Sequence, residues 1–373
     1  MSVGSVSPVA SLAVASAASA PQAASDVASV TSRLVAEVTA TLTEDLPGSL
    51  PTAPPSAALT TMVGQAATQQ QSLAPLLADL AVAVTSPAMP ADARATAVQI
   101  LAAQTPLDAD VTAQQLQSAA QSSGVFLEAS LAASLANGEA AAPVDVQQDL
   151  KALLLQLTSE LAPFVQAPAQ AKASAATLAP SQRGVAVRGA SEPLEPPVGG
   201  GPTTGQSAAR PTLDPQAHTE MLVRTLQQEA QGALARVQLS QAASVERSGE
   251  TTRWMFEIPI ATPGGAGVAQ FEISRDGRGP GNGVAAEPSW RARFSINAAP
   301  SGPVHADVLL GKGRSRVTLM AEHDAAQAAL AAHQDELAQA LAAEQGPDVA
   351  VRVIGGAPPR PQRPAGQLVD RRS

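Results

Sequence analysis

"SGPVHADVLLGKGRSRVTLMAEH", residues 301–323, is the stretch on which the fold turns. Val304, Ala306, Val308 and Leu310 alternate with other residues, Gly311-Lys312-Gly313 supplies a turn, and Val317, Leu319 and Ala321 alternate again. A period of two on both sides of a glycine turn predicts a β-hairpin with one buried face. The hairpin runs into an Ala/Leu-rich segment at 323–345, whose Leu330, Leu337 and Leu341 form a helical stripe closed by Gly346 and Pro347. Val349, Val351 and Val353 follow as a last strand, so a β-α-β passage with parallel flanking strands is expected.

Working outward toward the N-terminus, the same alternation recurs in "RWMFEIPI" (253–260), "GVAQFEISRD" (267–276) and "WRARFSI" (290–296). Trp254, Phe256, Ile258 and Ile260 share one face of the first; Ala269, Phe271 and Ile273 share one of the second; Trp290, Ala292, Phe294 and Ile296 share one of the third. Before them, Leu222, Leu226, Ala230, Leu234 and Val237 mark an amphipathic helix. Five of the chain's seven aromatic residues, Trp254, Phe256, Phe271, Trp290 and Phe294, lie in this stretch; Phe126 and Phe164 do not. The expected fold class is therefore a compact α+β domain at 213–356, a mixed sheet with helices on one face, after a mostly disordered or helical Ala/Pro-rich N-terminal region.

That region subdivides. Residues 1–57 lack periodicity and are expected to be a disordered leader. Residues 58–165 carry short amphipathic helices, expected to fold weakly. Leu73, Leu76, Leu77, Leu80 and Val84 share one face, Leu127, Leu131 and Leu135 another, and Leu150, Leu153, Leu154, Leu157 and Leu161 a third. Helices this short with narrow stripes are marginal alone and need one another or a partner. Residues 166–212 read as a Pro/Gly-rich linker and 357–373 as a disordered basic tail. The net charge of −9 comes almost wholly from residues 1–165, which lack the basic footprint of a nucleic-acid binder. There is no cysteine, hence no disulfide framework and no thiolate chemistry. No run of 18 apolar residues offers a stable membrane insertion. "ASA" before Pro21 imitates a cleavage site, but the first basic residue is Arg33, so no cleaved Sec signal is expected.

No catalytic constellation emerges, and the chain is not expected to be an enzyme. "GRGPGNG" (277–283) joins two strands instead of opening a helix, and "GKGRS" (311–315) lacks the glycine spacing of a phosphate loop. The histidines are His218, His305, His323 and His333. Glu322, His323 and His333 do not share a helical face, so no metal site is expected, and no cofactor. His333 reads as a half-buried helix residue. Arg291, Arg293, Arg314 and Arg316 cluster on adjacent strands, as a solvated face or as a binding patch.

Taken in order, "RWMFEIPI", "GVAQFEISRD", "WRARFSI", "GPVHADVLL…RVTLMAEH", "LAAHQDELAQALAAEQG" and "VAVRVIGG" resemble the C-terminal domain of the flagellar hook-length control family, the FliK type. The family usually has Leu where this chain has Ser301. The resemblance implies a protein of the bacterial flagellum that is first cytoplasmic and then exported through the flagellar type III secretion channel. Its N-terminal part would sense the hook, meeting hook and hook-cap subunits. Its C-terminal domain would meet the cytoplasmic domain of the export gate, the FlhB-type switch protein. That contact would change export from hook to filament-type substrates. About 210 residues span roughly 300 Å as helix and 700 Å extended, the scale of an external rod. The contact is expected to involve Pro300, Ser301, Gly302, Pro303, Val304, Arg314 and Arg316. The alternative is a secreted or surface interaction protein with a disordered stalk and a small binding head.

Overall fold

The computed structural model describes residues 57–107, 111–137, 147–173, 194–244, 252–262, 264–275, 289–311 and 314–359. The leader 1–56, the 277–283 glycine run, the Lys312-Gly313 turn and most of the basic tail lie outside the described residues.

Among the described residues, seven strands form one sheet in chain order. They are β1 (Thr105–Pro106), β2 (Thr252–Thr262), β3 (Gly265–Arg275), β4 (Trp290–Ala298), β5 (Gly302–Gly311), β6 (Arg314–Ala321) and β7 (Asp348–Gly355). β2 to β6 are an antiparallel meander, whereas β1 lies parallel to β2 and β7 parallel to β6. The sheet is thus mixed, and the expected β-α-β passage is present.

Alternation places the aromatic residues on one face. Phe256 pairs with Phe271 and Phe271 with Phe294 across the strands, giving a stacked ladder with centroids 5.3 and 5.4 Å apart. Trp254 stacks on Trp290 at 5.9 Å. The chain crosses over this face as α8 (Asp324–Ala332) and α9 (Gln334–Gln345), which bury Ala326, Leu330, Leu337 and Leu341 against it. The segment expected as one helix is two, because the backbone leaves the helical region at His333 (φ −101°, ψ 6°). His333 is half-buried and its Nδ1 lies 3.2 Å from Glu336 Oε2. Val125, Phe126 and α4 (Ala113–Gln121) cover the rest of this core, with Phe126 against Phe256.

A second helical layer lies on the opposite face. The long helix α7 (Thr219–Ser244) meets β2 there, and Ser244 Oγ accepts from Met255 N at 2.7 Å. Its outer side buries Leu222, Val223, Leu226, Ala230, Ala233, Leu234 and Val237. Onto it dock α1 (Ala57–Gln69), α2 (Leu73–Ala83) and α6 (Leu150–Ala173), while α3 (Ala91–Ala102) packs on α6 and α2. Leu73, Leu76, Leu77 and Leu80 of α2 and all five stripe leucines of α6 are buried in this core. Each fully buried leucine contributes about 1.5–3 kcal/mol. Helices that are marginal alone thus find their partner within the same chain. α5 (Leu127–Asn137) differs: Leu127 is buried but Leu131 is 39% exposed.

The segment read as a linker also differs in its described parts. α6 continues through 166–173, and 194–212 runs extended across the sheet's second face, where Gln206 forms an antiparallel bridge with Val268. Its far end is fastened to α2, because Asp79 accepts from Thr212 N (2.5 Å), Thr212 Oγ1 (2.6 Å) and Leu213 N (2.9 Å). Glu229 of α7 is buried beside Asp79. Desolvation, then the Asp79 charge, pushes its carboxyl up to about 8.

Candidate functional site

The residues expected to meet a partner fall at two places. Pro300, Ser301, Gly302, Pro303 and Val304 form the turn that opens β5. Arg314 and Arg316 open β6, beyond the other end of the hairpin: Val304 pairs with Ala321, whereas Arg316 pairs with Leu309. Five residues of strand separate Val304 from Leu309, roughly 17 Å. The two groups are therefore not one site.

In the turn, Ala299 and Pro300 are exposed, Pro303 is half-buried, and the others are sequestered. The Ala299–Pro300 peptide is cis. Gly302 has φ +73° and lies against the His323 imidazole, so a Cβ there would come within 2.5–2.9 Å of the ring atoms. Both features require glycine at this position. Ser301 is buried, and its Oγ has no hydrogen-bond partner. Val304 faces the aromatic core, while Glu322 N donates to Pro303 O at 3.2 Å and ties the start of β5 to the end of β6.

Arg314 and Arg316 lie on the sheet face opposite the aromatic ladder, the first paired with Asp348 and 73% exposed. Arg291 pairs with Asp307, and Arg293 with the buried Glu272. The arginine cluster is consequently neutralised over β4 and retains free positive charge on β6, where Arg316 has no ion pair among the described residues.

Sequence reasoning did not anticipate what lies behind the turn. Ser295 of β4, His305 of β5 and Glu322, just past β6, form a hydrogen-bonded line: Ser295 Oγ to His305 Nδ1 at 2.6 Å and His305 Nε2 to Glu322 Oε1 at 3.0 Å. The registers that pair Ser295 with His305 and Val304 with Ala321 bring them together, and no local motif signals it. The constellation resembles a hydrolytic triad in composition, but Ser295 is 0% exposed and its Oγ also bonds Thr203 of the crossing segment. With the crossing segment seated, Ser295 Oγ is closed to a substrate carbonyl. Burial holds the His305 imidazole below its ordinary value, while Glu322 opposes that shift. Among the described residues no group of three or more His, Asp or Glu could hold a metal ion.

With this geometry in place, the comparisons fall on the same strands. Residues 281–361 match the family model described as flagellar hook-length control protein FliK, and the match spans β4 to β7 with α8 and α9 between them. The C-terminal region thus carries a domain of the hook-length control type. No curated protein and no solved structure matches the chain.

Proposed function

We propose that this chain sets flagellar hook length as a non-enzymatic switch. Its N-terminal part leaves through the type III channel and samples the growing hook, meeting hook and hook-cap subunits. Its C-terminal domain then acts on the cytoplasmic domain of the FlhB-type export gate and ends hook export in favour of filament-type substrates. The observation that carries this reading is the match of 281–361 to the hook-length control family.

The physical properties of the chain support it. A protein drawn through a narrow channel must come apart, and with no cysteine it has no covalent cross-link to resist threading. The outer layer is made of separate helices, α1, α2 and α6 seated on α7 and α3 on α6 and α2, which can come apart stepwise. No helix among the described residues is long and apolar enough to cross a membrane. At the gate, Ala299, Pro300 and Pro303 offer the accessible part of the turn, held in shape by Gly302 against His323. Arg314 and Arg316 supply a second, separate contact.

Electron microscopy of hooks from cells whose copy lacks residues 213–356 tests the role. Overlong hooks without filaments are expected. Hooks of normal length bearing filaments would overturn it.

A further inference from the structure

The segment 194–212 is held on the sheet almost wholly by polar contacts. Gly200 N donates to Glu272 Oε2 at 2.9 Å, and Thr204 N to Gln270 Oε1 at 2.7 Å. Gln206 exchanges two backbone hydrogen bonds with Val268 at 2.8 and 2.9 Å, and its side chain donates to Glu257 at 3.1 Å. Thr203 meets Ser295 through both its hydroxyl and its carbonyl. Gly205 crosses β4 so closely that a Cβ would lie 2.6 Å from the backbone at Ile296 and Asn297. Between 199 and 208 the sequence is GGGPTTGQSA, without one large apolar side chain.

The layer beneath is equally polar, and its ion pairs form without the segment, although Gln270 Oε1 receives its N–H from Thr204. Glu257 is paired with Arg236 at 2.8 Å, and Glu272 with Arg253 at 3.3 Å and with Arg293. Lifting 199–208 would expose these ion pairs, Gln270 and Ser295 to water, and the apolar residue it is bonded to is Val268, at the edge of the outer core. Water replaces such hydrogen bonds at a small net cost, far less than opening a core of the same area. Permanent packing is normally apolar; a seat of this composition suits a contact that is made and released. Its recognition elements are those of strand addition, main-chain groups first and side chains second.

We propose that the second face of β2–β4 is a peptide-binding groove whose resident occupant is 199–208. Its exchange partner is an extended segment of another protein with small, uncharged side chains, a glycine where it crosses β4 and free N–H groups for Glu272 and Gln270. The inference stands on contacts within this chain and does not depend on the hook-length role.

The test uses the full chain and a fluorescein-labelled peptide of residues 197–209. Gly205→Ala forces the segment off β4, and Thr204→Pro removes the N–H given to Gln270. Because the chain has no cysteine, Thr203→Cys reports lifting by its rate of thiol labelling, and Val308→Cys on the aromatic face reports opening of the fold. Both lifting variants should bind the peptide at least tenfold more tightly than the unaltered chain. Thr203→Cys should label at least tenfold faster in their background, with Val308→Cys unchanged. Simultaneous exposure of both thiols would overturn the proposal, because the segment would then be inseparable from the fold. Absence of saturable peptide binding in both variants would overturn it whatever the labelling rates.

Discussion

Replacing Glu229 with glutamine isolates the electrostatics of the junction where α2, α7 and the end of the crossing segment meet. Folded Glu229 keeps its proton up to about pH 8, whereas its ordinary value is 4.5. Between those values the folded chain holds a proton that the unfolded chain has released. The contribution to stability is therefore complete below about 4.5 and is lost as pH rises through 8. One proton of difference corresponds to about 1.4 kcal/mol per pH unit, so from pH 5.5 to 7.5 the group removes about 2–3 kcal/mol. Glutamine has the same shape, presents an N–H donor to Asp79 and does not titrate. His305, depressed by burial, and Asp149, raised by burial to about 6, titrate in or near the same window, but both are common to the two proteins and cancel in the difference. Urea unfolding at pH 5.5 and 7.5 should show the variant gaining about 2–3 kcal/mol on the parent over that interval. Parallel stability curves for the two proteins would refute the reasoning.

Gly302→Ala should cost about 1–2 kcal/mol and weaken binding to the export-gate domain, since it meets both a left-handed backbone and the His323 ring; thermal unfolding and a titration of that domain read the two effects. Ser301→Ala removes a buried hydroxyl without a partner and should raise stability by about 1 kcal/mol in denaturant melts. Leu154→Ala, at the centre of the outer helical core, should cost about 2–5 kcal/mol and hasten proteolysis within 57–173 ahead of the sheet. Arg236→Met strands the Glu257 carboxylate under the crossing segment and should cost about 3–5 kcal/mol, part of which a second change, Glu257→Gln, restores.

The meander was legible because its inner positions are aromatic or aliphatic and its outer ones mostly polar or charged, a contrast that survives in single strands. The leucine stripes of α2 and α6 were legible for the same reason. α3 was not: its buried positions are Ala93, Thr96, Ala97 and Ile100, and alanine that packs cannot be told from alanine that does not. The crossing segment was invisible because its contacts run through backbone N–H groups, which composition does not encode. Its indirect trace lay in the strands, where Glu257, Gln270 and Glu272 occupy positions that alternation assigns to water yet are buried. The turn at Pro300–Val304 could be named from the sequence, but its separation from Arg314 and Arg316 depends on the hairpin register. The Ser295–His305–Glu322 line depends on registers between three strands that no spacing along the chain reports.

The pairing of Thr105 with Ile260 has a consequence for how the molecule is made. The meander closes through neighbouring hairpins and can form as soon as it leaves the ribosome, because its contacts are close along the chain. β1 and the helices of 57–173 are synthesised first but wait for α7 and β2, which emerge much later. The first half of the protein thus passes its early life without the surface that would fold it. On the proposal that the leading end enters a channel, that delay is a kinetic window in which the leading half stays open until α7 and β2 have emerged.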